Sequence, residues 1–420
     1  MYYCGIDVAK HKHAVVLLDE HGQAKRPVFM TENTRSGMDY LLDELKPFRQ
    51  DICIGLEATG HYWLSLYDVL TRQGYSVVVL NPLQISAYRR SGVRKVKNDK
   101  TDAAWIADFV RISNRSASQR DIPTLMQLRE LSRFRFWLSE QIGDCKRKLL
   151  TILDRVFPEY ESLFSSVFVH SSKAMLQEAV SAQEFADFDL QEMTDLLRKT
   201  SRGKFGEQKA IQIKEQAKQS IGIGFLTDAA RVEMHCLLNQ IELLEEQEKE
   251  VETGLETLMN VIPQYITTIP GIALPTGAAI LAEIGDISRF ESEEKLIAYA
   301  GIDATVHQSG QFNASKMHMS KRGSPYLRLA LWQAASMAIR HNEELKEYYR
   351  KKRAEGKAHG TALGAVCRKL LIRVYVILKQ NRPYLVRESA HSNPGLLIAG
   401  LILIKRGTEY SVPLLICDFI

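Results

Sequence analysis

Four carboxylates in the first quarter of the chain have the residue types and spacing of a metal-dependent catalytic site. Asp7 and Glu57 each end a short apolar segment that reads as a buried strand. A charged side chain in that position is costly unless it is paired or bound to a metal. Asp99 and Asp102 are three positions apart, so a helix would place both carboxylates on one face.

Oxygen donors of this kind suit Mg²⁺, which is a hard cation that binds carboxylates and substrate phosphates. We expect Asp7, Glu57, Asp99 and Asp102 to hold two Mg²⁺ ions, which together can activate an attacking oxygen and stabilise a leaving oxygen in phosphodiester chemistry. Taken singly, two of these acids have ordinary alternatives. Asp99 could cap a helix and Asp102 could be a surface charge.

Six basic residues within twelve positions surround the start of the predicted helix. Such a segment would guide a nucleic-acid backbone toward the metal ions, and a solvated basic loop is the alternative. The six are Arg89, Arg90, Arg94, Lys95, Lys97 and Lys100.

The acids must be positioned by an α/β layer domain. Apolar runs predict strands over residues 2–6, 14–18, 52–56 and 75–80, and helical spacing follows the second and third of them. Strands that alternate with helices indicate a sheet covered by helices. After about Leu125 the pattern becomes helical, and one long helix is predicted from Leu125 to Val156.

A second long helix carries an apolar stripe of coiled-coil type from Met234 to Ile262, interrupted only by Glu248. Seven glutamates and one lysine lie between Glu242 and Glu256, so this arm is a poor candidate for a phosphate-binding surface. Packing within its own chain and pairing with a second chain are equally good interpretations.

The charge of the chain is segregated. The whole sequence of 420 residues has a net charge of +5, but residues 316–387 contain 17 basic and 4 acidic residues, so the remainder is at −8. This polarity predicts a surface that neutralises phosphates, with solvated helix faces as the alternative. Its candidate contacts are Lys321, Arg322, Arg328, Arg350, Lys351, Lys352, Arg353, Arg368 and Lys369.

Two local patterns in this half predict helix starts. Ser324-Pro325 combines a capping side chain with a proline in the first turn, and the helix after it would bury Leu327, Leu331, Ala334 and Ala338. Ile269-Pro-Gly-Ile272, before an alanine-rich helix, is similar to a phosphate-binding helix-hairpin-helix turn, although Ala273 replaces the usual second glycine. An ordinary helix connection is the equal alternative.

Composition and targeting signals indicate a cytoplasmic, multi-domain globular protein that does not span a membrane. Six scattered cysteines form no paired motif, which is typical of a reducing compartment. The N-terminus lacks the pattern of a secretory signal. The apolar segment 395–404 is too short to cross a bilayer and has no predicted role.

The motifs around these residues resemble those of the DEDD transposases and invertases of the Piv/MooV family, the insertion-sequence 110 type. Gly5-Ile-Asp7, Leu56-Glu-Ala-Thr-Gly60 and Asn98-Asp-Lys-Thr-Asp-Ala103 match in the N-terminal part. In the C-terminal half the resemblance rests on Ile269-Pro-Gly-Ile272, Phe290, Ala298-Tyr-Ala-Gly-Ile302, Gln308-Ser-Gly310, Ser320-Lys-Arg-Gly323 and Tyr326-Leu-Arg328.

The resemblance implies a RuvC-like, RNase H-type N-terminal domain that holds the four acids, and a serine nucleophile in the second domain. The matching serine is Ser309. It further implies a DNA substrate and a bridge RNA encoded by the mobile element. Because Ser309 and the acids belong to different domains, we expect a homo-oligomer, a dimer or a tetramer, in which they meet between subunits.

These expectations divide the chain into a RuvC-like domain at 1–124, a helical and coiled-coil connector at 125–262, a mostly helical transposase domain at 263–387 and a tail at 388–420. Three other functions stay open: a metal-dependent junction nuclease that needs no serine, an invertase of the same family, and a non-catalytic nucleic-acid scaffold.

Overall fold

The computed structural model describes residues 1–58, 60–80, 82–91, 99–113, 122–303, 308–309, 312–313 and 319–385, with the backbone alone at 83, 91, 99, 100, 122, 308, 309, 312 and 313. The chain forms two compact units, Met1–Ile122 and the part from Pro123 onward. The boundaries predicted at 124, 262 and 387 stay predictions, and the apolar segment 395–404 lies outside the described residues.

The first unit is built on a mixed sheet of five strands. The strands are β1 Tyr2–Asp7, β2 Lys12–Leu18, β3 Phe29–Glu32, β4 Ile52–Glu57 and β5 Ser76–Leu80. Their order is β3-β2-β1-β4-β5, in which β1 pairs antiparallel with β2 and parallel with β4, and β5 continues the parallel half. Strand β3 was not predicted from the sequence, since its exposed and buried positions alternate over only four residues.

Helices cover both faces of this sheet, as the α/β pattern predicted. Two of them supply leucines to a core with Ile6 and Ile54 on one face. On the opposite face the third packs Ile85, and the fourth packs Ala103, Ile106, Ala107 and Val110. In chain order they are α1 Arg35–Leu45, α2 Trp63–Arg72, α3 Pro82–Ser91 and α4 Asp99–Ser113.

The second unit is mostly helical and shares one continuous core, which runs from Leu128 to Ile377. Its first helices are α5 Ile122–Val156, α6 His170–Glu178, α7 Ala182–Asp187, α8 Leu190–Thr200, α9 Glu207–Lys218 and α10 Thr227–Val261. There follow α11 Leu274–Ile284, α12 Glu293–Ala300, the strands β6 Gln308–Ser309 and β7 Phe312–Asn313, and then α13 Pro325–His341, α14 Glu343–Ala354 and α15 His359–Gln380.

The long helices α5 and α10 lie against each other in antiparallel directions. Arg155 pairs with Glu233 at 3.7 Å, and Lys146 pairs with Glu245 at 2.8 Å. The polar interruption of the apolar stripe, Glu248, accepts a hydrogen bond from Ser139 on α5. Of the two interpretations of this stripe, packing within the chain is the one that the structure shows for α10.

The glycine of the Ile269-Pro-Gly-Ile272 turn is explained by packing. Gly271 has a φ of +100°, and a Cβ atom at this position would collide with the backbone of Ala338 on α13. The turn is therefore a close connection between helices, which agrees with the ordinary alternative given above. On α13 the predicted core positions Leu327, Leu331, Ala334 and Ala338 are buried, and Ala330 and Ala335 are buried with them.

Within the part of the chain that the structure describes, no helix is long and apolar enough to cross a membrane. Five of the six cysteines lie in the described ranges and are free thiols, of which Cys236 alone is exposed.

Candidate active site

The ends of two neighbouring parallel strands bring Asp7 and Glu57 to one edge of the sheet. Ile6 of β1 is in register with Leu56 of β4, so the acids that follow occupy equivalent positions on the two strands. Side chains alternate between the faces of a sheet, and Gly5, two residues before Asp7, faces α4. Asp7 and Glu57 therefore belong to the face that α4 covers.

Glycine is required where α4 crosses the sheet. A Cβ atom on Gly5 would collide with the backbone of Ala103 and Ala107, and one on Gly55 would overlap Val110. The absence of side chains at these two positions lets the helix approach closely. Its first turns, which carry Asp102, thus come down onto the ends of β1 and β4.

Arg89 of α3 joins two of the predicted acids. Its Nη2 donates a hydrogen bond to Oε2 of Glu57 at 2.9 Å, and its Nη1 lies 3.5 Å from Oδ2 of Asp102. The side chains of Glu57 and Asp102 are only 12% and 11% exposed. Arg89 is predicted to contact phosphate, but in the structure its guanidinium lies between two carboxylates and pairs with both.

The donor set fits a hard cation. Two partly buried carboxylates already share one positive group, and their oxygens are the ligands that Mg²⁺ prefers. Asp99 is the first residue of α4, where only its backbone is described, so its ligand role is untested. Within the described ranges no group of three or more His, Cys, Asp or Glu side chains has metal-binding geometry.

A second network fixes α3 against α4, and no motif in the sequence indicates it. Tyr88 donates a hydrogen bond to Oδ2 of Asp108 at 2.6 Å, and Arg111 donates to the other oxygen of Asp108. Burial, followed by the hydrogen bond to Asp108, raises the pKa of Tyr88 to about 12. Because Tyr88 directly precedes Arg89, this anchor sets the position from which Arg89 reaches the acids.

His13 steadies the loop that leaves β1. It is fully buried on β2, and its Nδ1 accepts a hydrogen bond from the backbone N–H of Ala9 at 3.4 Å. Burial lowers the pKa of His13, against a smaller opposing effect of Asn33. The ring therefore accepts its hydrogen bond from the loop at Ala9, two residues beyond Asp7.

The structure describes only some of the other basic residues between Arg89 and Lys100. Arg90 is exposed at the end of α3, and Lys100 lies in the first turn of α4, where the backbone alone is described. Three further predicted contacts lie outside the described residues, namely Arg94, Lys95 and Lys97.

Ser309 lies in the second unit, at the end of β6. Its backbone pairs with Phe312 of β7, and Gln308 pairs with Asn313, so these two residues of the motif lie in a short antiparallel pair of strands where a loop is predicted from the sequence. His307 and His318, which flank the motif in sequence, lie outside the described residues. Just beyond it, Ser320 donates a side-chain hydrogen bond to Asp303, which joins the two flanks of the segment.

Two glycines lock the Ser320-Lys-Arg-Gly323 loop onto the end of α12. A Cβ atom on Gly301 would collide with the carbonyl oxygen of Arg322, and one on Gly323 would collide with that of Tyr299. Both have positive φ values, of +66° and +95°. The side chains of Lys321 and Arg322 are exposed on this fixed loop, so both are available to a phosphate.

Arg328 has a different role from its neighbours in the predicted set. Its Nη1 donates to the carbonyl oxygens of Ala300, Arg322 and Gly323 at 3.2–3.4 Å. It therefore holds the loop to α12, and this use of the guanidinium could not be read from the sequence.

A buried carboxylate, that of Glu283, links α5 to the start of α13. Glu283 of α11 is 3% exposed, accepts two hydrogen bonds from Arg133 of α5 and accepts one from Ser324 Oγ at 2.7 Å. Ser324 in turn caps α13 by accepting from the N–H of Leu327, as its sequence position predicted. Glu283 was not among the predicted residues, because an acid inside an apolar alanine-rich helix carries no motif.

The more distant basic residues are of two kinds. Lys352 pairs with Glu355, and Lys369 pairs with Glu344 and lies over the ring of Tyr348. The others have exposed side chains on α14 and α15 and remain candidates for phosphate contacts: Arg350, Lys351, Arg353 and Arg368.

Comparison with known proteins gives matches in both units. A DEDD-type transposase model of the IS110 group matches residues 4–158, and a model described as the transposase IS116/IS110/IS902 family matches residues 263–350. The first model spans all four predicted acids, and the second spans Ser309.

Similar full-length proteins come from several bacteria. A 44.8 kDa protein of insertion element IS116 from Streptomyces clavuligerus is 25% identical over 90% of this chain and 95% of its own length. The pilin gene-inverting protein of Moraxella bovis is 23% identical over 91% of this chain and 97% of its own length.

Proposed function

Because the chain belongs to the IS110/IS116/IS902 family of transposases, we propose that it is a DNA recombinase whose N-terminal acids and C-terminal serine act together to cut and rejoin strands of a mobile element. The observation that carries this proposal is that Glu57 and Asp102 both contact the guanidinium of Arg89 at one edge of the mixed sheet. Such an arrangement supports a RuvC-like reading of the first unit.

Asp7, Glu57, Asp99 and Asp102 would hold Mg²⁺, in the two-ion form that four carboxylates can support. Bound there, the metal supplies charge neutralisation for the attacked phosphate and for the leaving oxygen. The register of β1 and β4 places Asp7 beside Glu57, and the close approach of α4 adds Asp102. The chain's own contribution would thus be carboxylates gathered at one edge of the sheet, whose side chains must rearrange to surround a metal, since the described ones form no metal-binding group of three.

Ser309 would be the nucleophile. Its Oγ attacks the phosphorus of the DNA backbone, a serine–phosphorus bond forms, and the bond from phosphorus to one deoxyribose oxygen breaks as that oxygen takes a proton. A strand-end hydroxyl then attacks the phosphoserine, and the serine oxygen leaves and regains its proton. Two strands are joined, and neither atoms nor electrons are left over.

The exposed basic residues would hold the DNA backbone around this reaction. Lys321 and Arg322 lie on a loop that two glycines fix to the end of α12, next in the chain to the segment that carries Ser309, so they suit the attacked phosphate. The exposed residues of α14 and α15 suit backbone contacts that do not read bases.

Partners of this enzyme beyond DNA are proposed on the family resemblance. A bridge RNA encoded by the element would choose the DNA sites by base pairing, and a dimer or tetramer would bring Ser309 of one subunit to the acids of another. Recombination that is lost on ribonuclease treatment and regained on adding the element's RNA would support the first part.

The decisive experiment is to trap a protein–DNA adduct on DNA that carries both ends of the element and to map the attached residue by mass spectrometry. The adduct is expected on Ser309 and is expected to vanish in Ser309→Ala. Ser288→Ala, which changes another serine of the same unit, is the matched control. Attachment at a different residue would refute the assignment of Ser309, whereas strand transfer by Ser309→Ala without any adduct would favour water attack by a junction nuclease.

The acids are tested separately. Asp7→Ala and Glu57→Ala should each abolish strand transfer while DNA is still bound, whereas Asp68→Asn, an exposed acid of α2, should leave it unchanged. Strand transfer retained in either alanine variant would remove the metal site from the reaction and favour a scaffold role.

The same chemistry serves transposition and inversion, which differ in how the DNA ends are arranged. Similarity to a pilin gene-inverting protein supports inversion as the second candidate outcome. A plasmid that carries two sites in inverted orientation would distinguish the two, since inversion keeps the segment in the plasmid and transposition moves it.

A further inference from the structure

Arg89 and a divalent cation would compete for the same carboxylate oxygens. Its guanidinium is 2.9 Å from Oε2 of Glu57 and 3.5 Å from Oδ2 of Asp102. Two positive groups repel strongly at such distances inside a partly buried site, so they cannot share these oxygens.

We propose that Arg89 is a displaceable counter-ion that holds the metal position until a DNA phosphate takes its guanidinium, so that DNA binding opens the site to the cation. This inference rests on the proposed metal-dependent function. It adds a positive coupling between DNA binding and metal binding, and assigns that coupling to one residue.

Arg89 uses only some of its hydrogen-bond donors in this site, which makes its guanidinium easier to displace. Its Nε is buried and has no hydrogen-bond partner among the residues that the structure describes, although Nη1 and Nη2 face carboxylates. A guanidinium bonds best when its donors are all matched, and here one is left over. The side chain is 25% exposed, which gives a phosphate access to it.

The helix that carries Arg89 is anchored independently of the acids. Ile85 of α3 is fully buried, and Tyr88 is bonded to Asp108 on α4. The side chain of Arg89 can therefore swing away while α3 stays in place. Arg90 is exposed beside it, and the chain continues into Arg94, so the local charge draws a DNA backbone toward this position.

Phosphate is a suitable alternative acceptor. Guanidinium groups pair with phosphates in the same two-pronged way as with carboxylates. Once the guanidinium has moved, Glu57 and Asp102 regain their full negative charge for a cation. The consequence is that DNA raises the occupancy of the site by the metal, which limits cleavage of other phosphodiesters before DNA is bound.

Mn²⁺ binding, measured by calorimetry and by the Mn²⁺ paramagnetic resonance signal, tests this coupling without turnover. The full-length protein is titrated with and without a random-sequence DNA duplex, which offers phosphates but lacks the element ends. Arg89→Gln is expected to bind Mn²⁺ roughly ten-fold more tightly than wild type without DNA, within the usual range of site–site coupling. The duplex is expected to tighten binding by a similar factor in wild type and by less than two-fold in Arg89→Gln.

Arg72→Gln is the matched control, because it removes one exposed arginine of the same unit, paired with Asp68. It should behave as wild type in both titrations. Arg89→Lys keeps the charge without the two-pronged geometry and should lie between wild type and Arg89→Gln. It also serves if Arg89→Gln does not fold, which circular dichroism would reveal.

The inference is overturned if Arg89→Gln, or Arg89→Lys where the former is unfolded, binds Mn²⁺ no more tightly than wild type. It is also overturned if DNA tightens binding equally in wild type and in the variants. In both cases the proposed metal-dependent function still stands. If no protein, wild type included, binds Mn²⁺ even with DNA, the proposed metal site fails together with the inference.

Discussion

Gly5 and Ala103 touch backbone to backbone, so that a Cβ atom on Gly5 would collide with the carbonyl oxygen of Ala103. This contact sets the distance between β1, which ends at Asp7, and α4, which carries Asp102. Gly5→Ala should push α4 away from the sheet, destabilise the first unit by about 3 kcal/mol or more and abolish strand transfer. Urea unfolding and a recombination assay would measure the two effects.

Gly143→Ala is a useful comparison for that variant. Gly143 lies in the middle of α5, where a methyl group meets only the end of the Arg147 side chain. Alanine is favoured over glycine in helices, so this change should stabilise by about 0.5–1 kcal/mol. A Gly5→Ala protein of wild-type stability and activity would show that α4 does not need its close approach.

Gly323→Ala should release the loop that presents Lys321 and Arg322. The position has a φ of +95°, and a Cβ atom would collide with the carbonyl oxygen of Tyr299. Backbone strain of this kind costs about 1–3 kcal/mol before the collision is counted. We expect a lower melting temperature together with weaker DNA binding in an electrophoretic mobility assay. Unchanged DNA binding would separate the loop from the phosphate contacts.

Glu283→Ala should destabilise the second unit. It leaves Arg133 without its two-pronged partner and Ser324 Oγ without its acceptor. Removing one member of a buried pair costs about 3–5 kcal/mol, and the partial exposure of Arg133 reduces our expectation to about 2–3 kcal/mol. Chemical denaturation measures this, and the exposed Glu291→Ala should change stability by less than about 0.5 kcal/mol. Equal effects of the two changes would contradict the network.

Stability should fall as the pH is lowered through the range in which His13 titrates when unfolded. Burial lowers the pKa of His13 in the fold below its ordinary value of 6.5, so the unfolded chain binds the proton first. The contribution is present above pH 6.5 and is lost as the pH falls toward the folded-state pKa, with a slope of at most about 1.4 kcal/mol per pH unit.

His13→Gln should remove this slope between pH 7.5 and 5.5, whatever its effect on absolute stability. Thermal unfolding at a series of pH values gives the slope directly. If the variant keeps the slope of the wild type, another group is responsible.

Patterns of hydrophobicity sufficed for most elements of the first unit, because strands that are buried on both faces read as apolar runs. Asp7 and Glu57 were found because a charge at the end of such a run is conspicuous. Asp102 was found from its spacing to Asp99. Its position near Glu57, however, depends on Gly5 and Gly55, which let α4 approach the sheet through tertiary contacts. Local sequence patterns of this kind are enough to predict secondary structure and candidate metal ligands.

The counter-ion role of Arg89 was beyond the sequence, since a basic cluster looks the same whether its members face phosphates or carboxylates. Glu283 and Arg328 were beyond it as well, because their partners are carbonyls or side chains from distant parts of the chain. What a buried charge bonds to depends on which helices meet, and that information is not local.

Glu248→Lys should distinguish packing within the chain from pairing between chains at α10. Glu248 accepts a hydrogen bond from Ser139 and lies 3.4 Å from Arg135, both on α5 of the same chain. A lysine at position 248 would replace this favourable contact with repulsion from Arg135. We therefore expect the free energy of unfolding to fall by about 1–2 kcal/mol. The exposed Glu250→Lys on the same helix should cost less than about 0.5 kcal/mol. Because the contact is intramolecular, the drop in melting temperature should not depend on protein concentration. A drop that grows on dilution, with loss of oligomer in light scattering, would instead assign this stripe to contact between subunits.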